Sequence, residues 1–277
     1  RQLKDFPADL IAGNLARTTA PDGGKLAASV AWVDLAARPG EADPSGLTYA
    51  RALDDEAFAA RFGRAVKAAA GAGDVVALPA VLGVRRLGVW RQVAEIVGRD
   101  VCEIPLPPPS VPGLRLYEAL LALLRAGGVR IVQGSRVVGC QVKGDAVASV
   151  TLAAAGGARE LAASAFVFAP GGFESGALDV DSHGGITEPV FGLPLTATDA
   201  GPLVPERYWG PHPLFAVGVR TDAAGRPADA AGAAVHPNLY VAGGIIAGAE
   251  RWREKSGDGI AVATAVRAAD HLIEGAR

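Results

Sequence analysis

The chain has 277 residues, half of them apolar, which is enough to bury a sizeable core as one large domain or two of ordinary size. Its 27 Lys and Arg against 29 Asp and Glu leave no global field favouring nucleic acid or an anionic membrane. No apolar run approaches the roughly 20 residues of a membrane helix, and no charged-then-apolar signal peptide opens the chain.

Cys102 and Cys140 are too few for a four-cysteine iron–sulfur site and suggest no disulfide framework. They read as small buried apolar residues in a reducing compartment. The chain has no methionine, and Arg1-Gln2-Leu3-Lys4-Asp5 looks like neither a start nor a processing scar. The expectation is a true N-terminus further upstream, with replaced methionines as the alternative.

Read in chain order, Asp5 to Arg17 is expected as a helix, with Leu10, Ile11 and Asn14-Leu15 on related faces. Ser29 to Leu35 alternates weakly and suggests a strand. Asp54 is placed to cap a helix carrying Phe58, Phe62 and Val66 as core residues. Asp74 to Leu78 is a β-rich run ending at Pro79, and Trp90, Val93, Ala94 and Val97 return to helical spacing. Residues 104–113, Ile-Pro-Leu-Pro-Pro-Pro-Ser-Val-Pro-Gly, break both helix and central strand and read as an ordered extended loop. A helix from Leu114 to Arg125 follows, with Leu116, Leu120, Leu123 and Leu124 inward and Gly127-Gly128 as its stop.

From Val129 onward the pattern is β. Val129 to Val132, Arg136 to Val142 and Ala146 to Leu152 are expected as a three-stranded meander, with turns at Gly144-Asp145 and Gly156-Gly157. Ala165-Phe166-Val167-Phe168-Ala169 fits a buried strand and runs into Pro170-Gly171-Gly172. Asn238 to Ala242 is a second such strand, closing on Gly243-Gly244. After a polar stretch, Ser256-Gly257-Asp258-Gly259 opens a helix from Ile260 to Ile273, with Ile260, Ala263, Thr264, Ala268 and Leu272 as its packing face.

A strand that stops at Gly-Gly lets backbone come close to a ligand because no Cβ intervenes. A glycine-rich turn opening a helix aims unpaired N–H groups and the positive end of the helix dipole at the same place. Such a turn suits a phosphate, or a ring edge on which charge develops during reduction. Gly243, Gly244, Gly257, Asp258, Gly259 and Ile260 are the contact candidates on this reading, and an ordinary strand end with Asp258 as helix cap is the alternative. Ser256 is open between contact and cap, and Gly171 with Gly172 between contact and turn. Ser110 and Arg115 are candidates for an anionic substrate or phosphate, Arg115 being equally readable as a solvated helix residue. Arg251-Trp252-Arg253-Glu254-Lys255 reads as a solvated loop, with an intersubunit contact as the sharper alternative. His183, His212, His236 and His271 have no metal-ligand or triad partner at readable spacing, so no catalytic residue and no metal site is assigned.

The run Val129 to Gly172, with Asn238 to Gly244 and Ser256 to Ala261, resembles flavin-dependent oxidoreductases of the succinate dehydrogenase and fumarate reductase kind. Four stretches narrow the resemblance: Asp5-Phe6-Pro7-Ala8-Asp9-Leu10-Ile11-Ala12-Gly13-Asn14-Leu15-Ala16-Arg17, Leu78 to Gly83, Leu106 to Leu116, and Glu188 to Leu193. Together they resemble the B-subunit family of anaerobic glycerol-3-phosphate dehydrogenases. The resemblance implies an α/β chain with an FAD/NAD(P)-binding, Rossmann-like three-layer domain, incomplete at its N-terminus, with a β-meander and an interleaved second lobe.

The segments implied are 1–128, an α/β segment partly in the second lobe; 129–177, the meander and a cofactor-sheet strand; 178–235, the second lobe or cap; and 236–277, the C-terminal flavin-binding strand and helix. The resemblance further implies FMN, with FAD as alternative, and a role passing electrons from sn-glycerol 3-phosphate oxidation toward quinone. It implies a catalytic FAD subunit and an iron–sulfur membrane-anchor subunit as partners, and a cytoplasmic, peripheral location at the membrane's inner face. One departure stands out. The strand–GxGxxG–helix unit that opens this family does not precede Arg1, and Gly83-Val84-Arg85-Arg86-Leu87-Gly88 does not substitute for it. The rival readings are an independent FAD dehydrogenase, using His183 or His212 with Arg115, and a flavin-free scaffold protein.

Overall fold

The computed structural model describes residues 3–41 and 43–275. The chain is mixed α/β and divides into two compact units, Arg1–Ile131 and Val132–Arg277. Residues 178–235 thus belong by their contacts to the same unit as 236–277. Among the described residues, no helix is long and apolar enough to cross a membrane.

The first unit contains α1 (Ala8–Leu15), α2 (Gly46–Ala52), α3 (Glu56–Ala69), β1 (Val75–Pro79), α4 (Val89–Val97), β2 (Asp100–Ile104) and α5 (Val111–Ala126). Strands β1 and β2 pair in parallel, from Val75 opposite Asp100 to Pro79 opposite Ile104. The expected apolar stripes form the core: Phe58, Phe62 and Val66 of α3 pack with Val89, Val93 and Val97 of α4 around Leu53 and Leu82.

Three expectations change in this unit. Ser29 to Leu35 belongs to no ladder; Val33 and Leu35 still pack on the core, and the Leu35 carbonyl accepts from the Tyr49 hydroxyl at 2.7 Å. The cap of α3 is Asp55, whose carboxylate accepts from Phe58 N at 2.7 Å. Asp54 is engaged elsewhere, accepting from the amides of Val84, Arg85 and Arg86 at 2.9–3.1 Å. In α5, Leu116, Leu120, Leu123 and Leu124 are exposed, and Val111 and Leu121 are the buried positions. Arg115 fixes the rotation of this helix: Nη2 donates to Glu103 Oε1 at 2.8 Å and Nε to the Gly83 carbonyl at 2.6 Å, so the stripe through 111, 115 and 118 turns inward.

In the second unit, β3 (Ser135–Lys143), β4 (Ala146–Ala154) and β5 (Gly157–Ala162) form an antiparallel meander. The expected first strand, Val129 to Val132, joins no ladder, and the third strand is one that hydropathy did not show. β5 is exposed along its whole length. It is held from its polar side, where the Glu160 carboxylate accepts from the Ser149 and Thr151 hydroxyls across the ladder at 2.6 and 2.5 Å. Those two hydrogen bonds, Ser149 first, hold the Glu160 carboxyl below its ordinary range.

β6 (Phe166–Phe168) follows, then the short pair β7 (Asp179–Val180) and β8 (Ile186–Thr187), β9 (Leu239–Val241), the single turn α6 (Arg251–Glu254) and the long helix α7 (Gly257–Gly275). The core gathers Val219, Leu239, Val241 and Ile245, all fully buried, with Phe166 and Phe168 packed against them. His236 is buried and joins the β3–β4 turn through Nδ1 and the Asp145 carbonyl at 2.8 Å. Glu188, also buried, has its charge satisfied by the amides of Val190, Phe191 and Leu193.

Candidate functional site

β6 and β9 lie side by side in parallel, with Phe168 opposite Val241, so the two strand–Gly-Gly ends leave the sheet together. Each pair divides its labour in the same way. The first glycine takes a left-handed φ, 95° at Gly171 and 78° at Gly243, which turns the chain out of the strand. The second, Gly172 or Gly244, presents a face without a Cβ. A side chain at either would run into the guanidinium of Arg251.

Both turns are pinned by hydroxyls. Gly172 N donates to Ser175 Oγ at 2.9 Å, and Ser175 Oγ donates to the Pro170 carbonyl at 2.6 Å. Gly243 N donates to Thr264 Oγ1 at 2.8 Å, and that hydroxyl donates in turn to the Ile260 carbonyl at 2.6 Å. Thr264 therefore joins the second glycine turn to α7. Thr264→Val keeps the shape and leaves the Gly243 N–H without its partner. The expected loss is about 1–3 kcal/mol, read by denaturant unfolding; an unchanged midpoint would mean that water replaces the hydroxyl.

Gly172, Gly244, Glu174 and Arg251 line one cavity of about 830 Å³, within the range of small-molecule and cofactor pockets. Its walls are aromatic: Tyr208 and Trp209 stand edge to face at 4.8 Å, and His212, Phe215 and Trp252 gather within 6.0–6.1 Å of one another. His212 Nε2 is 2.7 Å from the Tyr208 carbonyl, which ties this wall to its own loop. Arg251 donates through Nη2 to Glu174 at 2.6 Å. The Glu174 carboxyl is held below its ordinary range, first by a hydrogen bond from its own backbone amide; burial opposes this and Arg251 adds to it.

The other expected residues are placed as follows. Gly257 opens α7, earlier than the expected start, so Asp258 and Gly259 stand exposed in its first turn and Asp258 is not the cap. Ile260 N donates to the Ser256 carbonyl, while the Ser256 hydroxyl donates to Glu254 at 2.8 Å. Ser256 to Ile260 do not line the cavity; Gly257 lies just behind Arg251. Of the packing face, Ile260, Thr264, Ala268 and Leu272 turn inward, and Ala263 is exposed.

Ser110 caps α5, accepting from Gly113 N at 3.1 Å, and Arg115 is committed to Glu103 and Gly83. Gly83 to Gly88 does sit between a strand and a helix, β1 and α4. Its converging amides are filled by Asp54 from within the chain, which is why it offers no phosphate cradle.

Sequence reasoning missed Arg251 and Glu174, and raised His212 only under the rival reading of an independent FAD dehydrogenase. Arg251 sits in a short run of mixed charges that reads as solvated, and nothing in that run shows that the glycine turns lie beneath it. The available signal was an arginine close after a strand–Gly-Gly end.

The model of the FAD binding domain family matches residues 16–260. The chain is 37% identical over 204 residues to the probable anaerobic glycerol-3-phosphate dehydrogenase B subunit of Halobacterium salinarum, covering 71% of this chain and 46% of the relative. It is 33% identical over 207 residues to the anaerobic glycerol-3-phosphate dehydrogenase B subunit of Vibrio vulnificus, covering 70% and 45%. With the protein of that name from Aliivibrio fischeri it shares 30% identity over 249 residues, covering 82% and 52%. The resemblance read from the sequence is borne out by these relatives, and the chain spans about half their length. No solved structure matches it. The family match takes in β6, β9, both glycine pairs and Arg251, and on that footing the chain belongs to the FAD binding domain family.

Proposed function

We propose that this chain is the flavoprotein part of an anaerobic glycerol-3-phosphate dehydrogenase, corresponding to its B subunit, and that its flavin lies against the paired glycine ends of β6 and β9. The observation that carries this reading is that two Cβ-free faces, Gly172 and Gly244, open from adjacent parallel strands onto one aromatic-walled cavity. Both faces seat the Arg251 guanidinium at the cavity wall, and a side chain at either position would push it into the space a flat ring needs. The amides of Gly172 and Gly243 are already committed to hydroxyls, so the glycines contribute shape and the charge comes from Arg251. Gly171 and Gly243 set the turns, and Ser256 to Ile260 bring the positive end of α7 up behind Arg251.

A bound flavin supplies the capacity to take up and release electrons. The chain's own residues hold it beside the aromatic walls of Trp209, His212 and Trp252 and set the local field with Arg251 and Glu174. The reading includes a Rossmann-like three-layer sheet in the whole protein, and FMN as the cofactor with FAD as alternative. It also includes quinone-linked oxidation of sn-glycerol 3-phosphate with a catalytic FAD subunit and an iron–sulfur anchor subunit as partners, and a peripheral place at the membrane's inner face. The relatives' names support the dehydrogenase and its several subunits. The test is the visible spectrum of the purified full-length protein, followed by release and identification of its flavin. A protein that carries no flavin, and takes up neither FMN nor FAD on reconstitution, would sink the reading.

A further inference from the structure

Among the described residues, the Asp, Glu, Lys and Arg side chains lining the aromatic cavity are one cation, Arg251, and one anion, Glu174. The two are unequally held. Arg251 lies over Gly172 and Gly244, with its side chain 28% exposed; Glu174 reaches it from a side chain 62% exposed. Releasing Glu174 into water therefore costs little, because an ion pair this open contributes little to stability. Arg251 is the better covered partner, its guanidinium resting on two faces that the glycines keep clear. Glu174 takes its hydrogen bond from Nη2, while Nε and Nη1 stand over Gly244.

A guanidinium offers five N–H groups in a planar fork that matches carboxylate or phosphate in a two-point contact. A ligand carboxylate would have to displace a tethered carboxylate of equal charge. A phosphomonoester brings nearly twice the charge at neutral pH and three acceptor oxygens, so it wins that exchange.

We propose that Arg251 is the receptor for a phosphomonoester in this cavity and that Glu174 is its internal competitor, displaced when the phosphate binds. The proposal rests on the cavity being the ligand site of the function proposed above, and it names the chemistry recognised there. Two sources carry that chemistry: a small phosphorylated polyol and the terminal phosphate of FMN. FAD has no phosphomonoester, so recognition through the cofactor would also select FMN over FAD.

The experiment titrates the full-length protein by calorimetry with sn-glycerol 3-phosphate and FMN, each beside its uncharged counterpart, glycerol or riboflavin. Inorganic phosphate serves as the bare anion. Arg251→Gln is expected to weaken the phosphomonoester that binds by roughly tenfold or more, the worth of charge-assisted hydrogen bonds, without changing the uncharged counterpart. Glu174→Gln is expected to tighten it by about two- to fivefold, the worth of an exposed ion pair released from competition.

Dependence on Arg251 for sn-glycerol 3-phosphate assigns the contact to substrate, and for FMN to cofactor; either supports the proposal. Phosphomonoesters binding no more tightly than their uncharged counterparts would overturn it. So would a Glu174→Gln variant weakened as much as Arg251→Gln, because the pair would then be a structural clasp. If Arg251→Gln fails to fold by circular dichroism, Glu174→Gln decides alone: tightening supports the exchange and anything else overturns it. Flavin content of the same preparations separates the two readings. Flavin-free protein with Arg251-dependent phosphate binding keeps this inference and removes the flavin. Flavin-loaded protein indifferent to both substitutions does the reverse.

Discussion

Gly218→Ala is expected to destabilise the protein by about 3 kcal/mol and to lower the melting temperature of the second unit by roughly 6–12 °C. The cause is backbone against backbone. A methyl at residue 218 would fall on the Ile245 carbonyl, the Ile246 carbonyl carbon and the Ala247 amide, none of which can rotate away. These atoms belong to a pairing next to Val217 and Gly244 of the cavity lining: Val219 N donates to Ile245 O at 2.8 Å, and Ala247 N to Val219 O at 3.0 Å. On its other side Gly218 accepts from Thr196 N at 3.0 Å and donates to Thr196 Oγ1 at 3.2 Å, so the segment has no direction in which to yield. Relief requires giving up one of these pairings next to Val219 and Ile245, both fully buried. Gly139→Ala is the matched control, since nothing lies within 4 Å of its Cβ position. Thermal unfolding of the two variants checks the argument: equal melting temperatures would show that the Gly218 contact relaxes at no cost.

Patterns that depend on burial were legible in the sequence. β6 and β9 are short apolar runs that end at glycine, and the stripe Phe58, Phe62, Val66 forms the core face of α3. The two Gly-Gly ends lie side by side because β6 and β9 pair in parallel, a neighbourhood that about 70 residues of intervening chain conceal. What escaped was set by interactions that hydropathy does not encode. β5 is polar and exposed, and is held by Glu160 reaching two hydroxyls. α5 carries leucines on several faces, and its rotation is decided by an ion pair, Arg115 with Glu103, whose partners belong to different elements. Asp54 and Asp55 are adjacent carboxylates of identical local promise. Asp55 became the cap because Asp54 is used by a loop some thirty residues on. Arg251 is a further case of the same limit, since its place over the two glycine turns comes from what lies beneath it and its neighbours in sequence do not show that.

Gly244→Val is expected to abolish flavin occupancy, by more than about tenfold in affinity, while leaving the fold intact. The contact a branched side chain would make there is with the guanidinium of Arg251, the far end of a flexible side chain that can swing aside. The fold therefore absorbs the change, in contrast to Gly218, and the loss falls on the ligand. The Cβ-free face at the end of β9 disappears and the cation above it moves. A displacement of this size at a shaped pocket costs a ligand both contact area and charge-assisted bonding. Gly259→Val provides the comparison that locates the flavin. From the sequence, that position was a contact candidate for a ring edge on which charge develops during reduction. In the structure Gly259 is exposed in the first turn of α7, with open space around its Cβ position and no share in the cavity lining. The paired strand ends therefore predict that Gly259→Val and Asp258→Asn retain flavin and that Gly244→Val does not. The measurement is flavin released per protein from the three full-length variants, each first shown to melt as the wild type does. Loss at Gly259 with retention at Gly244 would move the ring from the strand ends to the helix start, and with it the role assigned to Gly172 and Gly244.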